Sequence, residues 1–250
     1  MARRICLQAG HANCQYNSIV ALRKSTGASN EMSFNVDIRN KVAAELRARG
    51  FEVVTTDANA NDDKNITKTD FDLFLAIHYD ADVYRVGGGF VDTPDPSVDS
   101  ANSESLRIAK HLADEYFSNT KIVNHPERSN LKTKFYYMWK FLTSKTPCVI
   151  IECGVGMHVP DDHQVLHFMR PVVVMGIVAG ICAAFDVPYQ QTTPIDPCAE
   201  TRAGLAKFQE AYQNTKIELE KKDKKLAKIS ESLTTLQTML SDLITLTISK

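Results

Sequence analysis

The sequence predicts an α/β fold, a mixed, mostly parallel sheet flanked by helices, followed by a long C-terminal coiled-coil helix. Three observations carry this. The stretch FDLFLAIHYDAD at 71–82 holds an apolar run too short for a globular helix, bounded by Asp70 and Asp72 before it and Asp80 and Asp82 after it. Such a run suits a strand buried on both faces. A second run of the same kind, PCVIIE, occupies 147–152. Beyond a stretch with three prolines at 186–200, an apolar heptad begins at Leu205 and reaches the last residue with no further Gly or Pro. With 250 residues and 44% hydrophobic content, the chain has enough apolar material for one substantial core and an accessory element. With a net charge of −1, nothing marks the whole chain as a nucleic-acid binder.

Taken in order, RICLQ at 4–8 is a short strand that leaves through Ala9-Gly10-His11. Residues 12–30 form a long polar connection, with Gly27 as a bending point. Asn30 is placed to N-cap an amphipathic helix over 31–49, which puts Glu31 in its first turn. Met32, Phe34, Val36, Ile38, Val42, Ala43 and Leu46 supply its apolar face. Gly50 stops that helix, and 51–55 is the next strand. The polar residues 57–69 hold at most a short helical turn. His78 stands where the central run turns polar, at the edge where open α/β sheets bind ligands. There it either ends a strand in water or enters chemistry.

Gly87-Gly88-Gly89 lacks a following GK[ST], so it reads as a close approach to the next strand rather than a phosphate cradle. Residues 103–117 form a helix with Leu106, Ile108, Ala109, Leu112, Ala113 and Tyr116 inward. The segment 124–142 is basic and aromatic (Arg128, Lys132, Lys134, Tyr136, Tyr137, Trp139, Lys140). It reads equally as a groove wall and as an ordinary amphipathic loop and helix, and His125 is its histidine to watch. Glu152 ends the 147–152 strand, which Gly154 and Gly156 break. His163 and His167 have metal-ligand spacing on a helix but no third ligand nearby. Residues 172–185 close the domain as an apolar helix. Six cysteines show no paired-ligand spacing, and Cys6, Cys148, Cys153 and Cys182 sit in apolar contexts that read as buried free thiols.

His11, Glu31, His78 and Glu152 each stand at an element terminus, where two histidines and two glutamates can converge on one sheet edge. That set meets the needs of a hydrolytic zinc site: two imidazoles and a carboxylate hold the ion, and a further carboxylate moves protons. GH at 10–11, Glu31 opening a helix, DLFLAIHYDA at 72–81 and PCVIIECG at 147–154 resemble the zinc-dependent N-acetylmuramoyl-L-alanine amidases of the amidase-3 type, in order and spacing. The resemblance covers roughly residues 1–187. It implies Zn²⁺ bound by His11, Glu31 and His78, Glu152 as the catalytic residue, and hydrolysis of the amide between N-acetylmuramic acid and L-alanine in peptidoglycan. Two departures bear on substrate specificity. Tyr79-Asp80 replaces a small residue and asparagine, and Thr56-Asp57 stands where an arginine often follows the second strand.

The sequence thus divides into a catalytic domain over 1–187, a Pro-rich linker over 188–201 and a coiled-coil helix over 202–250. From Leu226 through Ile229, Leu233, Leu236 and Leu240 to Leu243 the 3-4 spacing never slips, so the helix is expected to pair with copies of itself. The alternative is one long helix folded back on the catalytic domain. The N-terminus does not read as a signal peptide, and no apolar run is long enough to enter a membrane. The expectation is synthesis in a cytosol and action on the wall after release, as for a phage endolysin. Two other functions compete: a zinc peptidase cutting within the stem peptide, and a wall-binding structural protein assembled by its coiled coil.

Overall fold

A computed structural model describes residues 2–12, 28, 30–58, 63–80, 86–94, 102–131, 137–156 and 159–189, and in the tail 221, 222, 224–226, 229, 230, 233 and 237. Two compact units emerge, Met1–Cys198 and Ala199–Lys250. In the first, the described elements are β1 (Arg4–Ala9), α1 (Glu31–Ala48), β2 (Glu52–Asp57), α2 (Lys64–Thr67), β3 (Leu73–Asp80), β4 (Phe90–Asp92), α3 (Asn102–Thr120), two 3-10 turns (Pro126–Leu131 and Tyr137–Lys140), β5 (Cys148–Val155), α4 (Pro160–Phe168) and α5 (Arg170–Ala184).

The five strands lie in the order β2-β1-β3-β5-β4. The β1–β2, β1–β3 and β3–β5 pairs are parallel, and β4 alone runs antiparallel, on β5. Alternation along the strands sorts the side chains into two layers. Ile5, Leu7, Leu73, Leu75, Ile77, Val149 and Ile151 pack with Phe34, Ile38, Leu46, Leu112, Tyr116, Val173 and Ile177 of α1, α3 and α5. Cys6, Phe74, Ala76, Cys148 and Ile150 face a thinner layer with Ile66, Phe71 and Trp139. All eight residues of β3 are buried, as its uninterrupted apolar run requires.

The strands run further than the sequence suggests. His78 lies two residues inside β3, and β5 continues past Glu152 through Gly154 to Val155. The close approach expected of the glycine run occurs at Gly89, where a Cβ would lie 2.1 Å from the Glu152 carbonyl oxygen. Helix faces differ too. Met32 and Leu106 are 44% and 53% exposed, whereas Asn35 and Ser105 are fully buried. Ser105 turns inward because its Oγ accepts a hydrogen bond from the Cys148 N–H at the start of β5. Asn30 does occupy the cap position of α1, but at φ 66° its side chain makes no capping bond. Instead the Glu31 carboxylate reaches back to accept from the Ala28 N–H at 2.7 Å.

Cys6, Cys148, Cys153 and Cys182 are buried free thiols. Burial pushes Cys6 up to about 12 and raises Cys153 and Cys182 as well. No single described helix is long and apolar enough to cross a membrane. Together α4 and α5 reach that length only across an 83° bend.

In the second unit the described residues, among them Leu226, Ile229 and Leu233, are helical. These three side chains are 63%, 55% and 55% exposed. Most of the heptad, the proline-rich stretch, the 13–27 connection and Lys132, Lys134 and Tyr136 lie outside the described residues.

Candidate metal centre

The carboxyl ends of β1 and β3 and the first turn of α1 meet at one point. His11 follows β1 in a left-handed conformation, φ 58°, which turns its side chain back over the sheet edge. Its Nε2 lies 3.4 Å from Glu31 Oε1, and His78 Nδ1 lies 3.1 Å from the same oxygen. The two rings stand edge-to-face with centroids 5.0 Å apart. One nitrogen or oxygen from each of His11, Glu31 and His78 falls within 4.8 Å of the others, and no other such group of three occurs among the described residues. The structure therefore brings these three together. It leaves His163 and His167 as a tilted ring pair, centroids 4.4 Å apart, with His167 Nε2 3.0 Å from the Gly156 carbonyl oxygen.

Gly10 makes the convergence possible. A Cβ there would lie 2.1, 2.3 and 2.4 Å from His78 Cε1, Nε2 and Nδ1, so the imidazole rests directly on the backbone. The Gly10 N–H donates to the Ile77 carbonyl at 3.0 Å, which fixes that backbone against β3.

The electrostatics suit a cation. Burial lowers the His11 pKa, with Glu31 opposing and His78 assisting, and so favours the neutral imidazole that ligates metals. Burial also pushes the Glu31 carboxyl up. The hydrogen bond and charge of His78, the charge of His11 and the Ala28 N–H outweigh it, and the net shift is downward. Glu31 is thus held as a carboxylate although only 2% exposed. Two imidazoles and one ionised carboxylate are a donor set that fits Zn²⁺ with one position open.

Glu152 is the direct register partner of His78 across β3 and β5, so both side chains leave the same face of the sheet. Its buried Oε2 accepts no hydrogen bond among the described residues. Burial raises its pKa well above the usual carboxylate range, and the charges of Glu31 and Asp80 add to that. A carboxyl of raised proton affinity is a stronger base once ionised, and a cation held by His11, Glu31 and His78 would favour that ionised form.

The neighbouring substitutions fall on either side of this edge. Tyr79 turns into the core, 1% exposed and packed against Phe34 at 5.1 Å. At the end of β2, Asp57 pairs with Arg39 of α1. Arg39 and Asp57, with Ala12, Met32, Ser33 and Val36, line an open cleft of about 540 Å³ beside the loop that carries His11. His125 sits against Gly88, and its Nδ1 pairs with Glu127 at 2.6 Å. Sequence reasoning missed Asn35, one turn beyond Glu31 on the buried stripe of α1. Its spacing of four from Glu31 was the available signal.

The profile of a family described as N-acetylmuramoyl-L-alanine amidase matches residues 5–182. Among solved structures, an N-acetylmuramoyl-L-alanine amidase from Clostridium difficile 630 is similar at 17% identity and TM-score 0.57, over 75% of this chain and 99% of that one. An N-acetylmuramyl-L-alanine amidase from Mycobacterium smegmatis is similar at 21% identity and TM-score 0.56, over 74% and 98%. The catalytic domain of an endolysin targeting Clostridia difficile is similar at 16% and 0.56, over 72% and 97%. A search of curated proteins finds no match.

Proposed function

Since the chain belongs to the N-acetylmuramoyl-L-alanine amidase family, we propose that it is a zinc hydrolase of peptidoglycan, with His11, Glu31 and His78 as ligands and Glu152 as the catalytic residue. The bond cut is the amide joining the lactyl group of N-acetylmuramic acid to L-alanine of the stem peptide. The observation that carries this reading is the gathering of three ligand atoms within 4.8 Å, with Glu152 as the register partner of His78 on the neighbouring strand. Zinc held there would polarise the scissile carbonyl and lower the pKa of water to about 7.

The chain's own groups supply the rest. Burial keeps His11 neutral, and its neighbours keep Glu31 ionised, so both are ready to ligate without first losing a proton. Glu152 accepts a proton from water at its carboxylate oxygen and returns it to the leaving amine nitrogen. The cleft beside His11 gives an extended substrate room on the side of α1.

The tail extends the proposal. The heptad, together with the exposure of Leu226, Ile229 and Leu233, supports self-association of several catalytic domains, which raises effective concentration on a polymeric wall.

Digestion of purified peptidoglycan tests the reaction. The expected products are intact stem peptides with a free L-alanine amine and glycan chains without peptides. A chelator abolishes their release, and added zinc restores it. Peptides shortened within the stem indicate a zinc peptidase instead.

A further inference from the structure

We infer that Asn35 is a positioning residue of the metal centre, its side-chain amide clamping Glu31 to the backbone that carries His11. Asn35 lies one helical turn beyond Glu31 and is 0% exposed. Its Nδ2 donates to Glu31 Oε1 at 3.3 Å and to the Gly10 carbonyl oxygen at 3.0 Å. A carboxylate and a carbonyl only accept, so the amide must present its NH₂ to them, and the orientation is fixed by its partners. Both N–H groups are thereby used, and the buried Oδ1 has no hydrogen-bond partner among the described residues.

That leftover oxygen is the telling feature. Its neighbours on the buried stripe of α1 are Phe34 and Ile38, where an apolar side chain would pack with no polar atom to satisfy. An asparagine instead leaves an acceptor unmet at a cost in stability. The groups that gain are Glu31 and Gly10. Oε1 of Glu31 is the same atom that approaches both histidines, and Oε2 is held by the Ala28 N–H. With both oxygens held, the carboxylate cannot rotate away from the ligand position. Gly10 precedes His11 and supports the His78 ring, so the second N–H steadies the platform under both imidazoles. One amide therefore acts on all three ligands without touching the ion. Groups in this position typically govern metal affinity about 10–100-fold.

The inference rests on the zinc reading of His11, Glu31 and His78, and its test separates the two. Full-length protein is stripped with a chelator, and zinc affinity is measured by competition with a chromophoric chelator. The comparison is wild type against Asn35→Leu, which keeps bulk without donors, and Asn35→Ala, which avoids overpacking. Affinity is expected to fall about 10–100-fold in both, while the metal-free variants retain a folded circular dichroism spectrum and a cooperative melt. The cobalt-substituted variants should also show altered d–d bands. Wild-type affinity in either variant overturns the inference. Failure of both metal-free variants to fold overturns it too, since the residue then serves the fold rather than the metal. A wild-type chain that takes up no zinc overturns the metal reading itself.

Discussion

Replacing Gly10 by alanine probes the proposed metal centre with a single methyl group. Gly10 has an ordinary backbone conformation, so alanine brings no strain in φ. The added Cβ would lie 2.1 Å from His78 Cε1, where carbon atoms rest about 3.5–4.0 Å apart. The Gly10 backbone is pinned by its bond to the Ile77 carbonyl and by the amide of Asn35, so relief must come from the ring, by more than about 1 Å. Zinc sites tolerate ligand displacements of about 0.2 Å. Gly10→Ala should therefore lose His78 as a ligand and weaken zinc binding beyond the upper end of a neighbouring-shell defect, by more than about 100-fold. The crowding itself should destabilise the metal-free fold by about 1–3 kcal/mol, an effect that thermal melting resolves. Zinc content after dialysis and competition titration are the assays. Stoichiometric zinc at wild-type affinity in Gly10→Ala would refute the placement of the His78 ring and its assignment as a ligand.

Three further outcomes follow from the same geometry. Glu152→Gln should bind zinc as tightly as wild type and release stem peptides about 10²–10⁴-fold more slowly, and undiminished turnover would remove Glu152 from the chemistry. Burial lowers the His167 pKa, with His163 and Arg170 assisting and the Gly156 carbonyl opposing. The unfolded chain thus takes a proton there first as pH falls. The stability His167 contributes is present above about pH 6.5 and is lost as pH drops through the lowered folded value. The advantage of wild type over His167→Gln in urea melts should shrink between pH 8 and pH 5, and a constant difference would contradict this. A chain ending at Cys198, the boundary of the first unit, should retain zinc and run as a monomer in light scattering. Full-length protein should be larger than one chain at micromolar concentration, and a full-length monomer would rule out self-association through the heptad.

What the sequence disclosed was carried by local pattern. The run from Phe71 to Ile77 has no helical period, and its burial on both faces follows directly. Glu31 at the head of an amphipathic helix and Glu152 at the far end of a second apolar run are visible for the same reason. Hydrophobic periodicity did not show Asn35 and Ser105, because what turns them inward lies far along the chain. Asn35 bonds to Gly10, 25 positions away, and Ser105 to Cys148, 43 positions away. A reading confined to hydrophobic periodicity put Met32 and Leu106 inside in their place. Strand ends were underestimated because backbone pairing carries β3 and β5 on through His78, Asp80 and Gly154, where side-chain apolarity has already stopped.

The four buried thiols give the fold its own gauge of breathing. Cys6 sits in β1, Cys148 and Cys153 bracket β5 around Glu152, and Cys182 lies in α5. A thiol closed off from solvent meets an alkylating reagent only when its surroundings open, so its modification rate reports the free energy of that opening. Mass-resolved labelling of Cys148 and Cys153 would time how often the strand carrying Glu152 comes loose, and Cys6 would do the same for β1, the strand that leads to His11. The sheet edge that carries these residues can thus be followed opening and closing with no residue added or replaced.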